Sequence, residues 1–180
     1  MIQFNFEDKT VNLPTSWDEV TVAMFINPLF LSGDSLGLLA ALADVPAEKL
    51  LNTTEDLTPY FDECLKFIKS DPQGWQRGAM TETLTVLDTV CTIPQNIELE
   101  RFGQKVMFGQ ALANNKDNIY NALPTAIAIY LAPQIHPGDW AKRIPEIEAA
   151  VLSMSIDRVY SIGIFFLRVT AKYRSDGIAS

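Results

Sequence analysis

Apolar and polar residues alternate over two short stretches of the chain, and the two stretches match each other without a gap. Residues 3–14 read QFNFEDKTVNLP and residues 83–94 read TLTVLDTVCTIP. At a constant offset of 80, Phe4 aligns with Leu84, Phe6 with Val86, Val11 with Cys91 and Leu13 with Ile93. Asp8 aligns with Asp88 and Pro14 with Pro94. Each stretch has period-2 apolar residues on both sides of a turn around Asp-Lys-Thr or Asp-Thr, the pattern of a short β-hairpin. The closing proline has no N–H to give to a ladder and ends the second strand.

The likeness continues more loosely beyond the hairpins. TSWDEVTVAMFI (15–26) aligns with QNIELERFGQKV (95–106), LLAALADVP (38–46) with IAIYLAP (127–133), and LTPYFDECLKFI (57–68) with IDRVYSIGIFFL (156–167). The offset grows to 87 and then 99, so the second copy carries extra residues. The expected fold is α+β and predominantly helical, built as two pseudo-repeats, each a short β-hairpin followed by small helices. The repeats are expected to span 1–80 and 81–180 and to pack as one globular unit.

Helix signals fill the rest of each copy. Asp34 or Ser35 can cap Leu36–Ala43. Pro46 suits the first position of a short helix, and Thr58-Pro59 opens another that stops at Asp71-Pro72. That second helix carries Tyr60, Phe61, Cys64, Leu65 and Ile68 at helical spacing. Residues 73–82 read as the connection between copies, with Trp75 tucked against the core. In the second copy, Ile119, Leu123, Ile127, Tyr130 and Leu131 mark an amphipathic helix ending at Pro133, with Pro124 setting its first turn or kinking it. Residues 134–140 read as a turn, Pro145 opens a helix through Met154, and a last helix covers about 156–172. The uncharged run VYSIGIFFL in that helix is shorter than the ~20 residues a membrane span needs, so it reads as buried core or an interaction surface.

Charge sharpens this picture. The chain has 180 residues, 14 Lys+Arg and 22 Asp+Glu, a net charge of −8. Residues 1–80 hold 5 basic and 12 acidic side chains, a balance of −7, and residues 81–180 hold 9 and 10, a balance of −1. A nucleic-acid binder needs clustered Lys and Arg, so direct nucleic-acid binding is not expected. The stretch around Arg158, Arg168, Lys172 and Arg174 is locally basic. No membrane span and no export signal are expected.

Candidate chemistry is sparse. His136 is the single histidine and sits in a turn; a Ser-His-Asp or Cys-His arrangement would have to use it. Cys64 and Cys91 lack CxxC partners and read as buried free thiols of a reducing compartment. The acid pairs, such as Glu7-Asp8 and Asp62-Glu63, sit in turns, helix starts and charged faces, where capping and solvation account for them. GQKVMFG (103–109) lacks the Lys-Ser/Thr of a phosphate loop, and no GxGxxG or EF-hand spacing occurs. No enzyme activity, cofactor or metal is expected.

The hairpins, LPTSWDEVTVAMF (13–25), ELERFGQKV (98–106), and the pattern LPTAIAIYLAP (123–133) with IPEIEAAVLSMSIDRVYSIGIFFL (144–167) together resemble a group of small proteins of tailed bacteriophages, encoded among virion structural and tail-assembly genes. The chain departs from that pattern at 107–118, where a more regular charged link is expected. The resemblance implies virion or tail assembly through protein–protein contacts, as an assembly chaperone or minor structural component. It implies residence in the host cytoplasm during assembly or in the virion. The implied partners are other phage virion or tail proteins, or a second copy of the chain. The alternative is a cytoplasmic bacterial protein-interaction module of the same fold. The expected partner surface is the apolar closing helix, with Tyr160, Phe165 and Phe166 as its rings and Arg168, Lys172 and Arg174 as its basic rim.

Overall fold

The computed structural model describes residues 1–7, 9–54, 56–69, 83–93 and 101–162. The described residues divide into two compact units, one within Met1–Gln76 plus Ser155–Asp157, the other within Arg77–Met154 and from Arg158 onward. The expected boundary at 80/81, the connection at 73–82 and Trp75 lie outside the described residues.

The first unit opens with strands β1 (Ile2–Phe6) and β2 (Lys9–Leu13), paired antiparallel. The second opens with β3 (Thr83–Val86) and β4 (Thr89–Thr92), also antiparallel. Their registers are the same under the offset of 80: Phe4↔Val11 and Phe6↔Lys9 in one, Leu84↔Cys91 and Val86↔Thr89 in the other. Phe4, Phe6, Val11 and Leu13 are buried, and so are Leu84, Val86, Cys91 and Ile93. The turn lies one residue earlier than the sequence suggests. Phe6 pairs with Lys9 and Val86 with Thr89, so Lys9 and Thr89 are strand residues. Glu7, Leu87 and Asp88 have φ of 52°, 48° and 59°. Positive φ at both central positions, as at Leu87 and Asp88, matches the right-handed twist of the flanking strands.

After its hairpin the first unit has a 3-10 turn at Trp17–Glu19 and five short helices: α1 (Val22–Phe25), α2 (Pro28–Leu31), α3 (Ser35–Ala43), α4 (Ala47–Asn52) and α5 (Thr58–Ile68). Side chains cap three of them in succession. Thr21 accepts from Met24 N–H, Asn27 from Leu29 N–H, and Asp34 from Gly37 N–H. Asp34, not Ser35, is therefore the cap of α3. Pro46 lies one residue before α4 and not at its first position. Along α5 the fully buried residues are Cys64 and Phe67, while Tyr60, Phe61, Leu65 and Ile68 are half-buried. Tyr60 stacks on Phe4 at 4.7 Å between ring centroids, and Phe67 meets Trp17 edge-on at 5.5 Å. These rings fill the first unit's core. The stop expected at Asp71-Pro72 lies outside the described residues. Ser155 bridges Thr21, and Ile156 N–H donates to Val20 O at 2.8 Å, which completes this unit.

The second unit has longer helices: α6 (Phe102–Asn114), α7 (Leu123–Ile135, after a 3-10 turn at Ile119–Ala122) and α8 (Trp140–Ser153). Residues 156–162 are also helical. The expected helix with its stop at Pro133 is corrected in two ways. It runs on to Ile135 with Pro133 inside, and it is buried nearly all round rather than on one stripe. Pro133 has no N–H for the carbonyl of Ile129, four residues back. The buried side chain of Gln104, 5% exposed, donates to that carbonyl from Nε2 at 3.0 Å. A contact from another helix thus replaces the missing bond. Pro124 sits in the first turn, where a missing N–H costs nothing. The helix expected to open at Pro145 opens at Trp140 instead, so 134–140 is a turn only at 137–139. Ala141, whose carbonyl Pro145 cannot serve, is exposed to water.

Candidate partner-binding surfaces

Of the expected surface residues, Tyr160 is half-buried and Arg158 beside it is exposed. Ile156, Val159 and Ile162 on the same helical stretch are fully buried. Phe165, Phe166, Arg168, Lys172 and Arg174 lie outside the described residues.

The candidates for chemistry fall in separate places. His136 ends α7, half-buried, with Nε2 enclosed and without a hydrogen-bond partner. Cys64 and Cys91 are free and buried. Burial, reinforced by the neighbouring charge of Glu63, pushes the Cys64 thiol up to about 11, and burial alone raises Cys91. Both are protonated at neutral pH and poor nucleophiles. Among the described residues no three His, Cys, Asp or Glu side chains gather as a metal site, and no helix is long and apolar enough to cross a membrane.

Two surfaces emerge that sequence reasoning did not find. The first is on α6. One side of this helix is held down: Gln104 reaches α7, Arg101 Nη1 donates to Pro137 O at 3.3 Å, and the Arg101 guanidinium lies 5.9 Å from the centre of the Trp140 ring. Gly103 lies against that ring, where an added Cβ would make an ordinary contact at 3.4 Å. The opposite side presents Phe102, 81% exposed, and Val106, 49% exposed, one turn apart. Gly109 and Ala113 continue this exposed side.

The second surface is in the first unit, around the hairpin tip. Lys49 Nζ donates to Glu7 Oε2 at 2.7 Å and ties the turn to α4. A cavity of about 520 Å³ involves Phe6, Glu7, Glu48, Lys49, Asn52, Thr53 and Thr54. A second, of about 370 Å³, is lined by β2 from Lys9 to Asn12, by the hairpin tip at Phe6 and Glu7, and by Met24 and the end of α3. Alternation marks the hairpin in sequence. Its groove depends on where the end of α3 comes to lie, which no local pattern encodes.

Compared with known proteins, the chain matches no family model, and no curated protein or solved structure matches it.

Proposed function

We propose that this chain is a non-enzymatic protein of tailed-bacteriophage assembly, an assembly chaperone or minor virion component that works through protein–protein contacts. The resemblance of the two hairpin-led repeats to such proteins supports the role. The observation that carries the contact reading is the exposed pair Phe102 and Val106 on α6, an apolar face on a helix otherwise anchored by its far side. Exposed apolar faces of this kind are where partners dock. Tyr160, with Phe165, Phe166, Arg168, Lys172 and Arg174 further along the sequence, is proposed as a further part of the partner surface.

The test is deletion of the gene from the genome that carries it, followed by electron microscopy and mass spectrometry of purified particles. The expected result is failed or tailless particles, restored by the natural gene but not by a folded Phe102→Asp variant. Normal particles in normal yield after deletion would remove the assembly role.

A further inference from the structure

Because the two hairpins share one register, any feature on an edge of one has an address in the other. In a hairpin with a two-residue turn, the pair beside the turn exchanges both hydrogen bonds and the next pair does not. Counting outward from Phe6↔Lys9 and Val86↔Thr89, the residues Thr10, Asn12, Val90 and Thr92 turn their main-chain groups away from the partner strand. At Thr92 these groups are taken. The side-chain amide of Gln134 accepts from Thr92 N–H at 2.9 Å and donates to Thr92 O at 3.1 Å. A carboxamide making both bonds to one residue stands where the peptide group of a third strand would lie.

Asn12 is the same address in the first hairpin. The alignment that sets Pro46 against Pro133 sets Ala47 against Gln134, so no amide is available there. The 370 Å³ cavity is lined there by β2 from Lys9 to Asn12, by Phe6 and Glu7 at the hairpin tip, and by Met24 and Val45. Lys9 and Asp44 also line it and have no ion-pair partners among the described residues. At about 3.3 Å per residue, the edge from Lys9 to Asn12 accommodates three or four residues of extended chain.

We propose that the edge of β2 at Thr10–Asn12 binds an extended peptide segment of a partner protein by strand addition. This deepens, and rests on, the reading of the chain as a protein-contact module. Main-chain bonds to Thr10 and Asn12 supply the affinity. The side chain directed at the half-buried Met24 and Val45 is apolar, and an acidic and a basic residue flank it to meet Lys9 and Asp44.

The experiment selects a displayed library of random heptapeptides on the intact chain and examines a synthesised winner by NMR. The expected result is slowed amide exchange at Thr10 and Asn12 on binding. Methylating the peptide nitrogens that face β2 should weaken binding about tenfold or more, without touching the protein's own fold. Gln134→Ala, which frees the corresponding edge of the other hairpin, should leave binding unchanged. Failure to select any binder, binders that protect amides elsewhere, or indifference to peptide methylation would each overturn strand addition. So would concentration-dependent dimerisation lost in Asn12→Pro, which would make a second copy the occupant. If strand addition fails while the deletion still blocks assembly, the assembly role stands; if peptides bind but particles form without the gene, that role falls alone.

Discussion

The two hairpin-led units begin alike and are then stabilised by different means. The hairpins agree residue by residue in register and in which side chains are buried. Beyond them, α1 and α2 are four residues each and α3 is nine, whereas α6, α7 and α8 are thirteen or fourteen. No helix satisfies its first N–H groups internally, and in α1, α2 and α3 the side chains of Thr21, Asn27 and Asp34 each serve one of them. No such side-chain cap precedes α7 or α8. Those helices rest on burial, with Ile127, Ile129 and Leu131 in α7 and Ile147 and Val151 in α8 almost completely enclosed. Side-chain caps are concentrated at the first three helices of the first unit, α1 to α3, whereas α7 and α8 of the second unit rely on packing.

The largest effects test whether the hairpins are equivalent. Phe4→Ala and Leu84→Ala occupy one position of the shared register, and each should destabilise by about 3–4 kcal/mol in denaturant unfolding. Loss at one position and tolerance at the other would break the correspondence. Next comes the contact that lets Pro133 sit inside α7. Gln104→Ala strands the Ile129 carbonyl and should cost about 1–3 kcal/mol. Adding Pro133→Ala supplies an N–H four residues on, so the double variant should regain part of that loss. Strictly additive losses would show that Gln104 and Pro133 are not coupled.

The smallest effect concerns the capped unit. The Gly37 N–H, followed by the Ser32 hydroxyl, holds the Asp34 carboxyl below its ordinary value. A carboxylate lowered on folding adds stability above its unfolded value, and that stability disappears as pH falls through the folded one. Asp34→Asn keeps an acceptor for Gly37 but carries no charge, so its stability should decline less steeply on acidification. An Asp34 titration at the ordinary aspartate value, read by NMR, would contradict the cap's electrostatic part.

What sequence reading could reach follows the same division. Alternation at Phe4, Phe6, Val11 and Leu13, and a polar cap before Leu36, are local signals, and the hairpins and α3 were legible from them. The ends of α7 and α8 were not. Pro133 and Pro145 read as a stop and a start because the usual consequence of proline is local, while Gln104 offsets the first of them from another helix. Most of α6 escaped for a related reason. Its apolar residues face both inward and outward, so Phe102 and Val106 blur the stripe that Phe108 and Ala111 would otherwise draw. The Gln134 clamp on Thr92 joins residues 42 apart and has no signature in either segment.

The short segment Ser155–Asp157 gives the first unit a history as well as a structure. Ser155 Oγ reaches the Trp17 carbonyl across 138 residues of chain, and Ile156 takes up the carbonyl of Val20. During synthesis at about 5–20 residues per second, Trp17 is joined to the chain roughly 7–28 s before Ser155 is. Until then the first unit is missing a piece that only a later stretch of the chain can supply. Finishing it is an event of the whole chain, and a nascent or truncated product would carry an open seam at Val20 for as long as that wait lasts.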